Sequence, residues 1–336
     1  MNEINRKMKH FVKKTTIMML SMAMASSALT TSAKSIPGPG DDDSKEIYEN
    51  IVAMSEIGMP SPAPVKAEVD KLNLGSNMES PRIVLEESYE MMAEPVAVSN
   101  VAMPASFKGV KPNRITGQEN LRSLFKEIAK GNRTIRVLQI GDSHVRGNIF
   151  PQTIAKVLEG NLNNDGKIRV KVDFIGINGA RASKFTSEEL LRQVAAKRPD
   201  LVIISFGGNE AHGNFNYDNN TQVLHRLVDG IRRHIPNAQF LLTTPPGSFA
   251  SRGGVKVPLT TYESVSNNIL NFGINNGIAV WDHFHNIGGT QNAANNWWNA
   301  RLMQNDRIHL TVAGYKLMGS LLAEAILNAY NAEIRR

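Results

Sequence analysis

From about Pro112 onward the chain alternates between two hydrophobic patterns, and this alternation restricts its fold more than any other feature. Five short, mostly apolar runs rich in β-branched residues stand at Ile135–Ile140, Val170–Ile175, Leu201–Ser205, Gln239–Thr243 and Ile278–Trp281. Between them lie stretches with helical spacing, around 151–159, 187–197, 221–234 and 261–275. A helix with Leu121, Leu124, Phe125 and Ile128 on one face precedes the first run and is closed by Gly131. Another, over about 312–329, presents Tyr315, Met318, Leu322, Ala325 and Ala329 on one side. Strands that are apolar throughout need cover on both faces, so the pattern predicts an α/β fold with a central, mostly parallel five-stranded sheet. Ligands of such sheets bind beyond the carboxyl ends of the strands.

The residues at those ends are therefore the ones to examine. The first run is followed by Gly141-Asp142-Ser143-His144, the second by Gly176-Ile177-Asn178-Gly179-Ala180, and the third by Phe206-Gly207-Gly208-Asn209-Glu210-Ala211. Asp306-Arg307-Ile308-His309-Leu310 stands just before the last helix. Nucleophilic acyl transfer needs a hydroxyl, a base to take its proton, a carboxylate to hold that base, and donors aimed at the oxyanion. Ser143, His309 and Asp306 supply the first three. Gly179 offers an unobstructed backbone N–H and Asn209 a side-chain amide. Taken singly, these residues have ordinary explanations: a serine after a glycine turn caps helices, and Asp-x-x-His is a common loop pair. Four such blocks in order on one predicted rim are hard to explain that way.

Those four blocks resemble the SGNH (GDSL-type) hydrolase superfamily over roughly residues 113–330. The resemblance implies a flavodoxin-like three-layer fold and esterase chemistry that needs no metal or organic cofactor. It implies Ser143 as nucleophile, His309 as base and Asp306 as orienter, with the Ser143 N–H, the Gly179 N–H and Asn209 forming the oxyanion hole. His144, where leucine is usual, and Glu210, where aspartate is commoner, are similar to the peptidoglycan O-acetylesterase branch. So are Trp281-Asp282 with Gly288-Gly289, and the His309-Leu-Thr-x-x-Gly-Tyr315 ending. That branch implies removal of O-acetyl groups from a cell-envelope glycan, peptidoglycan first. The alternatives are other acylated polysaccharides, lipids or thioesters as substrates, acyl transfer to a sugar hydroxyl by the same triad, and a non-catalytic glycan-binding envelope protein.

The N-terminal third has a different character. Arg6, Lys7, Lys9, Lys13 and Lys14 precede an apolar run, Thr15 to Leu29, and then Thr31-Ser32-Ala33. That order reads as a secretory signal peptide over 1–33, because the run is too short for a comfortable bilayer span of about 20 residues. An exported chain, periplasmic or secreted, with no integral span after cleavage follows as the expectation. Residues 34–110 hold eight of the fifteen prolines and an Asp41-Asp42-Asp43 run, with six basic and thirteen acidic groups. Such a segment reads as a tether or a partly ordered N-terminal piece over 34–112, leaving 113–336 as the hydrolase domain.

Composition closes off other classes. With no cysteine in 336 residues, disulfide scaffolds, cysteine-ligated metals, thiol nucleophiles and lipoprotein anchors are excluded. Residues 111–336 carry 27 basic and 17 acidic groups, but these are scattered without aromatic interleaving, which argues against nucleic acid as a partner. The Gly-x-Ser-x-Gly elbow is absent because Val145 fills its last position, and no dinucleotide or phosphate-loop fingerprint occurs. Asp282, His283 and His285 offer a metal reading, but no helix-borne histidine pair accompanies them and they read as loop residues, one of them a candidate to line the site. Trp297 and Trp298 fall in an Asn-rich stretch that reads as loop, where packing outweighs stacking on a sugar. His212 reads as a rim residue, and His225 and His234 as surface or helix-end groups.

Overall fold

The computed structural model describes residues 94–163 and 166–336. The expected signal peptide and most of the proline-rich segment lie outside the described residues. Five strands form a parallel sheet: β2 (Ile135–Gly141), β3 (Val170–Gly176), β4 (Leu201–Ser205), β5 (Gln239–Thr243) and β8 (Ala279–Trp281). They match the apolar runs to within one residue at either end. A sixth strand, β1 (Ile115–Thr116), adds antiparallel to β8, giving the order β1-β8-β5-β4-β2-β3. At two residues it has no periodicity from which a sequence could reveal it. A separate antiparallel hairpin, β6 (Phe249–Arg252) and β7 (Val255–Pro258), was also not legible.

The helices fall into two groups that cover the sheet. Helices α1 (Arg122–Lys130), α3 (Ile149–Leu162) and α10 (Val312–Glu333) pack together, as do α4 (Glu188–Ala196), α6 (Tyr217–His234) and α7 (Thr261–Asn275). Gly131, at φ 62°, closes α1 in the left-handed conformation its sequence position predicted. Strand residues such as Ile135, Ile140, Val202, Ile203, Leu241 and Val280 are fully buried, as a sheet covered on both faces requires.

Residues 94–112 lie along this domain without helix or strand, turning at Ala105–Ser106. The Val96 N–H donates to Asn331 Oδ1 (2.9 Å), the Val101 N–H to Glu324 Oε1 (2.9 Å) and the Lys108 N–H to Asn296 Oδ1 (2.9 Å). Phe107 meets Trp297 edge to face at 5.3 Å. Side chains of α10 and of α9 (Gly289–Asn299) thus satisfy backbone groups of a segment that pairs with no strand.

Topology fixes where a ligand can sit. From β2 the chain moves to β3 on one side and then returns to β4 on the other. The loops after β2, β3 and β4 therefore diverge around one crevice at their carboxyl ends.

Candidate active site

Ser143 stands where β2 gives way to the short helix α2 (Ser143–Arg146). Two glycines make the approach possible. A Cβ on Gly141 would lie 2.4 Å from Val145 Cγ2, and one on Gly176 only 2.2 Å from the Arg146 amide nitrogen. No larger residue lets α2 press so closely onto the ends of β2 and β3. The helix is capped by Asp142, whose Oδ1 accepts the His144 N–H at 2.9 Å. The serine hydroxyl is left for another partner.

That partner is His309. Its Nε2 lies 2.9 Å from Ser143 Oγ, and its Nδ1 lies 2.6 Å from Asp306 Oδ2. The other Asp306 oxygen accepts the N–H groups of Ile308 (2.9 Å) and His309 (3.0 Å), so the carboxylate orients both the ring and its own loop. Despite partial burial, these hydrogen bonds hold the Asp306 pKa below the usual carboxylate range. The loop closes on itself through Gln304 N–H to His309 O (2.8 Å) and Gln304 Nε2 to Leu310 O (2.7 Å).

Across the crevice, Gly179 and Asn209 line the same open cleft as Ser143 and His309, a space of about 760 Å³. Asn209 belongs to the short helix α5 (Gly208–Ala211), and its Nδ2 donates to Ala180 O at 2.9 Å. The same nitrogen is 3.4 Å from Asp142 Oδ2, a long contact that leaves its second N–H weakly engaged. Neither the Ser143 nor the Gly179 N–H has an acceptor among the described residues. A hydroxyl, a base, an orienting carboxylate and three available N–H donors therefore meet at one place. Chemically, this set can transfer an acyl group through a tetrahedral oxyanion.

Three neighbours carry roles that their sequence positions did not reveal. Glu210 is buried, and burial pushes its pKa up. Its Oε1 accepts the Ala182 N–H (2.7 Å) and its Oε2 the Gly207 N–H (3.0 Å), so one side chain fastens the loops after β3 and β4 together. His144 is buried beneath the site, with Nδ1 2.9 Å from the Tyr315 hydroxyl. Asp142 is the third, as the cap described above. The local signal for Glu210 and His144 was their departure from the commoner residue, which marked the positions without showing the contacts.

Other candidates fall elsewhere. His212 lines the cleft, with Nε2 2.7 Å from Ser248 Oγ. His283 and His285 are not loop residues: they lie in α8 (His283–Asn286), a single turn too short for periodicity to mark. His283 is fully buried and stacks on Trp281 at 4.2 Å, while His285 bridges Asp282 (2.8 Å) and Glu263 (3.1 Å). Neither lines the catalytic cleft. The Asn-rich stretch is helix α9, not loop, because Ala293, Ala294 and Trp297 bury one face. Trp297 is wholly buried and donates to Pro246 O, which leaves no face for a sugar. His225 and His234 are exposed on α6.

A family model for GDSL-like lipases and acylhydrolases matches residues 139–317. The chain belongs to this family. It is an SGNH hydrolase, and its class of reaction is carboxylic ester hydrolysis. No curated protein matches it by sequence. Among solved structures it is similar to a peptidoglycan O-acetylesterase at 16% identity and TM-score 0.57, over 67% of this chain and 99% of that one. It is also similar to an acetyl xylan esterase (15%, TM-score 0.43, 56% and 98%). A third is a GDSL-like lipase from Bacteroides thetaiotaomicron (18%, TM-score 0.44, 64% and 100%). At 16% identity the likeness to the peptidoglycan O-acetylesterase is one of fold.

The buried groups of this SGNH hydrolase set a pH dependence of stability. Burial pushes His144 and His283 down to about 3, from 6.5. Each is neutral when folded and takes up a proton on unfolding, so its contribution is complete above about pH 6.5 and is lost as pH falls toward 3. Asp142 acts in the opposite sense. Burial raises it from 3.8 to about 6, so it favours the fold increasingly as pH drops through that interval. His283→Gln removes one histidine proton. Between pH 4.5 and 6 its unfolding free energy should therefore be flatter with pH than wild type by about 1.4 kcal/mol per unit. Urea titrations across that range measure the difference; parallel curves would mean that His283 is protonated in the folded state.

Proposed function

We propose that this protein is an exported serine esterase that removes O-acetyl groups from a cell-envelope glycan, peptidoglycan first. The observation that carries the proposal is the Ser143–His309–Asp306 chain of hydrogen bonds on the wall of an open cleft. Ser143 Oγ attacks the ester carbonyl while His309 Nε2 takes its proton. The oxyanion draws on the Ser143 and Gly179 N–H groups and on Asn209. His309 then protonates the departing sugar oxygen, and water, activated by the same ring, releases acetate from Ser143.

The shape of the cleft supports a short acyl group on a polar carrier. Its lining is mainly Asp142, Arg146, Asn178, Gly208, Asn209 and His212, with Ile308 as its large aliphatic. A long chain gains about 0.8 kcal/mol per buried methylene only where an apolar tunnel receives it. Support for peptidoglycan comes from the block similarity at His144 and Glu210 and from the activity named for the solved peptidoglycan O-acetylesterase. Support for export comes from the basic, apolar and small-residue order of residues 6–33.

Free acetate released by the purified protein tests this directly. O-acetylated peptidoglycan should yield acetate, chemically de-acetylated peptidoglycan none, and O-acetylated xylan less. In a series of simple esters from about two to twelve carbons, kcat/KM should fall with chain length. Activity rising steadily with length would replace this reading with that of a lipase. Acetate from xylan but not peptidoglycan would keep the chemistry and change the glycan.

A further inference from the structure

We infer that Arg307 is a positioning residue for the triad: its guanidinium, clamped between Trp298 and Phe249, holds the loop that carries Asp306 and His309. The inference rests on the triad reading above and adds a residue that neither the blocks nor the acyl-transfer chemistry calls for. Arg307 lies between the orienting carboxylate and the base in the chain, yet its guanidinium packs on two aromatic rings. Its Cζ sits 4.0 Å from the centroid of the Trp298 ring and 5.1 Å from that of Phe249. Guanidinium groups at such distances are attracted by the negative faces of aromatic rings.

The backbone makes the same point independently. Arg307 adopts φ 57°, the left-handed region that glycine enters freely and arginine does not. Such a conformation persists where surrounding contacts hold it. Here the Arg307 carbonyl accepts the Phe249 N–H (3.0 Å) and the Arg307 N–H donates to Gln304 O (2.9 Å). The loop is thereby tied to strand β6 by backbone and side chain, and to the end of α9 by side chain.

The tie matters because the triad is partly open to solvent. The Asp306 side chain is 43% exposed and that of His309 33%, so their own burial does little to hold them in place. The Met303–Leu310 bridge anchors the base of the loop, and among the described residues the Arg307 contacts and a long one from Lys256 Nζ to Asp306 O (3.5 Å) tie its tip to the hairpin. This also gives Trp298 a use: one of its faces is taken by Arg307.

Arg307→Gly is the informative variant, because glycine permits the same backbone conformation without the stacked side chain, and Trp298→Leu controls for the backbone freedom that glycine adds. On a small neutral acetyl ester, kcat should fall roughly 10- to 100-fold, the scale of loss from slight misplacement of reacting groups. KM should stay within about twofold, since the ester does not touch Arg307. The far-downfield proton NMR signal of the His309 Nδ1–H, held in its 2.6 Å bond to Asp306, should broaden or move. Arg307→Lys should recover part of the rate, and Trp298→Leu, which keeps the arginine, should lower kcat in the same direction. If Arg307→Gly fails to fold, the lysine and Trp298 variants decide. Wild-type kcat in the folded variants, a loss carried by KM alone, or an undisturbed proton signal would overturn the inference. Ser143→Ala separates this from the triad itself. If that variant is inactive while Arg307→Gly is not, only the clamp fails; if it is active, the triad reading fails first.

Discussion

Ser143→Ala should lower kcat on a small acetyl ester by roughly 10⁶-fold, the loss seen when the nucleophile of a hydroxyl–imidazole–carboxylate unit is removed. The structure makes this an informative substitution because the hydroxyl has no architectural task. Asp142, not Ser143, caps helix α2, and the Ser143 hydroxyl meets His309 Nε2. The methyl group of alanine fits where the serine Cβ already stands. Thermal unfolding and far-ultraviolet circular dichroism should therefore match wild type while turnover disappears. Near-wild-type turnover would mean that another group attacks the ester, and the whole assembly around His309 would need another explanation.

Much of this could be read from the sequence because the site is built from strand ends, and the strands were easy to see. In a parallel sheet covered on both faces each strand is continuously apolar, so the residues that follow it are marked by the change to Gly, Asp, Ser and Asn. What escaped notice was held by contacts between distant parts of the chain. Asparagine is a poor helix former, so the stretch around Trp297 and Trp298 reads as loop. Residues 289–299 are helical because Ala293, Ala294 and Trp297 are buried against the domain. Residues 94–112 have no periodicity, and their order comes from Asn331, Glu324 and Asn296, roughly 190 to 235 positions away in the chain. Glu210 stood out by its identity alone. Only the fold shows that its longer arm reaches both the Ala182 and the Gly207 N–H groups.

Asn209→Ala should lower kcat by roughly 10²- to 10³-fold, the usual loss for one oxyanion donor, with a smaller change in KM. The two N–H groups of this amide have different tasks. One is committed to Ala180 O at 2.9 Å, which holds the loop bearing Gly179 beside Ser143. The other faces Asp142 Oδ2 at 3.4 Å, too long for a strong bond in the resting enzyme. A negatively charged oxygen forming on the substrate carbonyl is a much better acceptor, so this second hydrogen bond strengthens as the transition state forms. An interaction that gains strength in that way appears in kcat. Losing the Ala180 contact adds about 1 kcal/mol of lost stability, measurable by denaturant unfolding and separable from the rate. If Asn209→Ala changes KM alone, the amide binds substrate and transition state equally. The Ser143 and Gly179 N–H groups would then have to hold the oxyanion without it.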